Sequence, residues 1–133
     1  MQTAFGATRF VILTRRRAYK LPRLLSWKHF LCGLLANMQE VQFSRTRWPE
    51  LCPVLWSLPG GFLVVMPRAE VCTDETFPMQ IVVEEFVDKA QYVVPAELKC
   101  DSFGFLEGRF VAIDYGSPTQ MLCTACSMQR RAA

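Results

Sequence analysis

The chain has 133 residues, 51% hydrophobic and 20% charged, which suits one folded domain with a substantial core and excludes a disordered polymer. No apolar run reaches membrane-spanning length, and the arginine-bearing N-terminus lacks a signal-peptide core followed by small residues. A soluble, unprocessed, cytoplasmic protein with no membrane partner is therefore expected. The net charge of +3 is uneven: residues 1–50 carry nine Lys/Arg against two Asp/Glu, and residues 51–133 carry six against ten.

In chain order, Gly6 to Thr14 begins loose and becomes a strand. Arg15-Arg16-Arg17 is a polar turn, and Ala18 to Leu21 is a second short strand closed by Pro22, so the pair reads as a hairpin. Ser26 is placed to cap a helix. Trp27, Phe30, Leu31, Leu34, Leu35, Met38 and Val41 then recur at steps of three and four, one broad apolar stripe on an amphipathic helix, with Glu40 near its far end. Lone His29 falls in the first helical turn. Ser44 to Glu50 is a polar connector. Cys52–Ser57 and Phe62–Met66 are expected strands around Leu58-Pro59-Gly60-Gly61, apolar enough that both faces should be covered. Arg68 to Pro78 is a polar crossover. Met79 to Val94 mixes β-formers with a short helix or turn over Glu84–Ala90. A hairpin over Phe103–Ile113 turns at Glu107-Gly108 and delivers Asp114 to its end, where Gly116 frees the chain to swing away. Residues 117–133 read as a tail.

Six cysteines are scattered through the chain. Cys123-Thr-Ala-Cys126 is a lone C-x-x-C pair, and Cys72 with Cys100 is not spaced as a second zinc-binding pair, so reduced, unliganded thiols are expected. The basic first half, with Arg15, Arg16, Arg17, Arg23, Arg45 and Arg47, suits either a solvated face or the phosphates of a nucleotide or nucleic acid. Trp27 and Phe30 are better placed as core than as a stacking platform for bases.

A strand-borne lysine, a helix-borne glutamate twenty residues on, an apolar strand ending at Met66, a polar loop and a strand-end aspartate follow one another. This order resembles the protein-kinase-like fold, in the manner of small, divergent bacterial or phage kinase-like proteins. Ala18-Tyr-Lys-Leu is similar to the family's third-strand lysine motif, and Phe62–Ala69 resembles the strand entering the hinge, with Met66 at the gatekeeper position. Glu97-Leu-Lys-Cys-Asp-Ser resembles the catalytic loop, and Ile113-Asp-Tyr-Gly the metal-binding D-F-G motif. The resemblance implies that Lys20, Glu40 and Met66 bind nucleotide, that Asp114 and Ser102 hold Mg, that Glu97 is catalytic, and that ATP and Mg are the cofactors.

The chain also departs from the family pattern. Only Phe5-Gly6-Ala-Thr-Arg remains of a glycine-rich loop. Glu97 stands where the family carries aspartate and Ser102 where it carries asparagine, and with seventeen residues after Gly116 no protein-substrate lobe is expected. The expected fold is α+β: an antiparallel sheet with one long packed helix over residues 1–66, a strongly reduced second lobe with a hairpin over 67–116, and a tail over 117–133. The expected function is that of a pseudokinase that binds a protein partner as a regulator or inhibitor. The alternatives are a minimal ATP/Mg-dependent phosphotransferase on a small molecule, and nucleic-acid or nucleoprotein binding by the basic half.

Overall fold

The computed structural model describes residues 1–6, 8–78, 80–88, 92–96 and 99–116. Five strands, β1 (Gln2–Phe5), β2 (Arg9–Leu13), β3 (Arg17–Pro22), β4 (Trp56–Leu58) and β5 (Leu63–Pro67), form an antiparallel sheet in the order β1-β2-β3-β5-β4. The β2–β3 hairpin closes where Thr14 exchanges backbone and side-chain hydrogen bonds with Arg17, leaving Arg15 and Arg16 exposed at the turn. β1 has no counterpart in the elements expected from the sequence. It pairs with β2 residue for residue, from Phe5↔Phe10 to Gln2↔Leu13.

One long helix, α1 (Trp27–Ser44), packs on this sheet, chiefly against β3. Ser26 caps it, its hydroxyl accepting the His29 N–H at 3.3 Å. An amphipathic helix ordinarily turns its apolar stripe inward. Here the buried side is Gly33, Ala36, Asn37 and Glu40, while Trp27, Leu31, Leu35 and Met38 are exposed. Small residues explain the orientation. A methyl group built on Gly33 would overlap the Thr8 carbonyl and Pro22, so the glycine lets the β3 end lie directly against the helix.

A second antiparallel sheet has the order β6-β7-β8, from β6 (Glu70–Val71), β7 (Phe103–Leu106) and β8 (Arg109–Ala112). The β7–β8 turn has positive φ at Glu107 (53°) and Gly108 (78°), as a two-residue turn of twisted strands requires. α2 (Gln80–Val87) lies earlier than the Glu84–Ala90 segment that suggested it. Phe103 and Phe110 stack at 5.1 Å, and Phe86 meets Phe110 edge-on at 4.9 Å. The main core gathers Cys52, Val64, Met66, Val83, Val94, Phe103, Val111 and Tyr115.

The sheets meet at a seam. Leu51 bridges Ala112 in parallel, with Cys52 N–H to Ala112 O at 2.9 Å and Ala112 N–H to Glu50 O at 2.7 Å. The Tyr115 hydroxyl donates to the Cys52 carbonyl at 2.6 Å.

Four expectations are corrected. Trp27, expected in the core, is exposed at the start of α1. The Cys52–Ser57 strand is reduced to Trp56–Leu58, and its outer side is open, with Leu55, Trp56 and Leu58 exposed rather than covered. The polar crossover contributes the edge strand β6. Gly116 serves by its size, because a methyl group there would overlap the Ala36 carbonyl and the Glu40 side chain. The tail with Cys123 and Cys126 lies outside the described residues. Among the described residues no helix is long and apolar enough to cross a membrane.

Candidate functional site

Strand pairing builds one wall of a cavity between the sheets. Side chains of directly opposed residues share a sheet face. Ala4↔Val11, Val11↔Lys20, Leu13↔Ala18 and Ala18↔Met66 therefore line up on one side. All of them border a cavity of about 270 Å³ that Val71 of β6, Asp101 in the turn before β7, and Ile113 and Asp114 after β8 close from the other side. Lys20 and Asp114, 94 positions apart in sequence, thus face one cleft. Met66, buried in β5, lies in its wall.

Behind the cavity runs a closed charge network. Glu40 on α1 has no exposed surface. Lys20 Nζ donates to Glu40 Oε1 at 2.9 Å and Oε2 at 3.1 Å, and to the carbonyl of Ile113. Arg9 on β2 donates from Nη1 to Glu40 Oε1 at 2.7 Å and from Nη2 to Asp114 Oδ1. Asn37, one turn before Glu40, accepts from Arg9 at 3.4 Å and donates to the carbonyls of Lys20 (3.2 Å) and Gly61 (2.8 Å). Two cations and two carboxylates balance across four segments of the chain. Such groups survive burial only when paired and hydrogen-bonded.

The titrations follow from this packing. Burial works against the charge on Arg9, but Glu40 and then Asp114 outweigh it and hold the guanidinium above its ordinary value. Burial also raises the Asp114 carboxyl, yet Arg9, Lys20 and Lys99 outweigh it and leave it below the usual carboxylate range. The Cys52 thiol, on the cavity wall, is pushed by burial up to about 11, with Lys20 opposing, which favours the protonated thiol at neutral pH.

Of the residues singled out from sequence, Lys20, Glu40, Met66 and Asp114 come together. Ser102 is buried at the base of the hairpin, where its carbonyl accepts the N–H groups of Ile113 and Asp114, and it does not line the cavity. Glu97 lies outside the described residues. The arginines occupy three places: Arg15, Arg16 and Arg17 at the β2–β3 turn, Arg23 over the Phe5 ring at 5.3 Å, and Arg45 and Arg47 just past α1.

Sequence reasoning missed Arg9 and Asn37. A signal existed for both. Arg9 is a charge opening an otherwise apolar strand. Asn37 shares a helix face with Glu40 and with small Gly33 and Ala36 at a spacing of three and four, a pattern that competes with the apolar stripe on the other side of the helix.

The resemblance implies Mg and ATP, and the described donor set does not fit the metal. Asp114 gives an oxygen to Arg9, and Ser102 is withdrawn into the hairpin base away from the cavity. Comparisons with protein-family models, with curated proteins and with solved structures find no match for this chain.

Proposed function

We propose that the chain is a kinase-like protein that acts by binding a protein partner, as a regulator or inhibitor, and does not transfer phosphate. The observation that carries this is the position of Arg9. A lysine on the third strand paired with a helix glutamate is the arrangement that grips phosphates in kinases, and the Lys20–Glu40 contact at 2.9 Å supports the likeness. Arg9 then sits between Glu40 and Asp114 and satisfies both carboxylates. Asp114 is engaged by a guanidinium instead of being free for a cation.

A second reading, a nucleotide held without turnover, is favoured by the mostly apolar cavity of about 270 Å³. The deciding experiment measures melting temperature and phosphate release with ATP, with and without Mg, on wild type and Asp114→Ala. The proposal expects no turnover and no Mg-dependent shift. The second reading expects a shift of equal size in EDTA and in Mg. Turnover that requires Mg and disappears in Asp114→Ala would sink both.

A further inference from the structure

α1 faces its polar side inward and its apolar side out. Trp27 is 73% exposed and Leu35 50%, and with Leu31 and Met38 they form a ridge at steps of four, four and three along one side of the helix. Beside the C-terminal half of the ridge lies a groove of about 370 Å³ between α1 and the β4–β5 connection, lined by Met38, Val41, Gln42, Arg45, Leu58 and Gly60 among others. Leu58, in the groove wall, and Phe62, whose ring meets Phe30 of α1 at 6.3 Å, add exposed apolar surface. Isolated exposed apolar residues are ordinary, but a continuous ridge beside a groove marks an interaction surface.

Charge selects the occupant. Between Ser26 and Phe62 the acidic residues are Glu40, buried, and Glu50, bonded to Tyr92 at 2.8 Å. Within this span of the chain the exposed charges are Lys28 at one end of the ridge and Arg45 and Arg47 past the other. A second copy of this chain on the same face would set basic rim against basic rim. Residues 117–133 contain no Asp or Glu and end in Arg130-Arg131-Ala-Ala, so they too lack the complementary charge.

Resting on the reading of the chain as a binding protein, we propose that the outward side of α1 and its neighbouring groove dock an acidic amphipathic helix of a partner protein. Apolar anchors of the partner, spaced three and four apart, lie along Trp27, Leu31, Leu35 and Met38, and its flanking carboxylates meet Lys28 and Arg45.

The test uses the full chain and two fluorescein-labelled amphipathic peptides of about 18 residues, long enough for the four-anchor ridge. They are identical in their leucine stripe, one flanked by Glu and the other by Lys. The Glu peptide binds about tenfold more tightly or better, and Leu35→Asp weakens it by about tenfold or more. Arg45→Glu shifts the preference toward the Lys peptide. Leu35 and Arg45 are both exposed, so the variants melt with wild type, which a thermal scan verifies. Equal affinity for both peptides overturns the proposal, as does binding indifferent to Leu35→Asp. A dimer in sedimentation equilibrium that Leu35→Asp dissociates assigns the face to a second copy and also overturns it. Tighter Glu-peptide binding after removal of residues 117–133 assigns the face to the chain's own C-terminal segment and overturns the proposal likewise. Peptide selectivity is blind to Mg-dependent turnover, so failure here is distinct from failure of the non-catalytic reading.

Discussion

Asp114 is the residue whose ionisation state is most open to measurement. Its side chain is 43% exposed at the cavity, yet Arg9 holds one of its oxygens. Burial raises its pKa, Arg9 and Lys20 lower it, and the net direction is down. The folded state therefore binds the proton more weakly than the unfolded chain does. The sign follows: Asp114 contributes stability that is fully present above the unfolded value of about 4, and that is lost as pH falls through the lower folded value. In urea titrations from neutral pH into the acid range, Asp114→Asn should be less stable than wild type at neutral pH and should show a flatter acid limb. Parallel acid limbs would show that Arg9 does not discriminate the charged form. The same ion pair explains what was hard to read at this scale. Lys20, Glu40 and Asp114 were picked out because their residue types and order along the chain can be read directly. Arg9 joins Asp114 across 105 positions, and no local periodicity encodes such a pair.

At the scale of elements, glycines decide how closely the parts approach α1. Gly61, at φ 81°, lies under the Leu34 carbonyl, and Gly116 lies under that of Ala36. Gly108, at φ 78°, has nothing within 4 Å of an added methyl. The two classes should respond differently. Gly116→Ala forces the segment after β8 away from α1 and should cost about 1–3 kcal/mol. Gly108→Asn keeps a residue that tolerates the left-handed region and should stay within about 0.5 kcal/mol of wild type. Chemical denaturation of the two variants checks this, and equal losses would contradict it. The α1 span, its Ser26 cap and the β7–β8 turn were all readable, because caps, turn glycines and periodicity act within a few residues. The side of α1 that faces the sheet was not. Periodicity marks an apolar stripe, but which stripe is buried depends on what lies opposite. Here it is an Arg9–Lys20 pair that needs Glu40 and Asn37.

At the scale of the whole molecule, Glu40 is the joint. It sits on α1, holds Arg9 of β2 and Lys20 of β3, and through them reaches Asp114 and the Ile113 carbonyl beyond β8. Removing one member of a buried ionic network leaves the others uncompensated, and Glu40→Ala should cost about 3–5 kcal/mol. Wild-type unfolding followed by tryptophan fluorescence and by far-ultraviolet circular dichroism should coincide as one transition, and Glu40→Ala should lower its midpoint. A loss below about 1 kcal/mol would mean that the network is solvated rather than structural.

The amino-acid order by itself settled the mixed α+β class, the long capped helix, the two hairpins and the succession of lysine, glutamate and aspartate, all of which rest on neighbours a few positions apart or on a pattern along the chain. Tertiary structure alone decided that Arg9 closes the carboxylates, that α1 shows its apolar ridge to the outside, and that the second sheet walls a cavity against the first. Those outcomes depend on charges and surfaces that meet only after the chain has folded: β3, Gly61 and Gly116 come close enough to α1 to select its small side, and Glu40 on that side is tolerated because Arg9 and Lys20 pair with it.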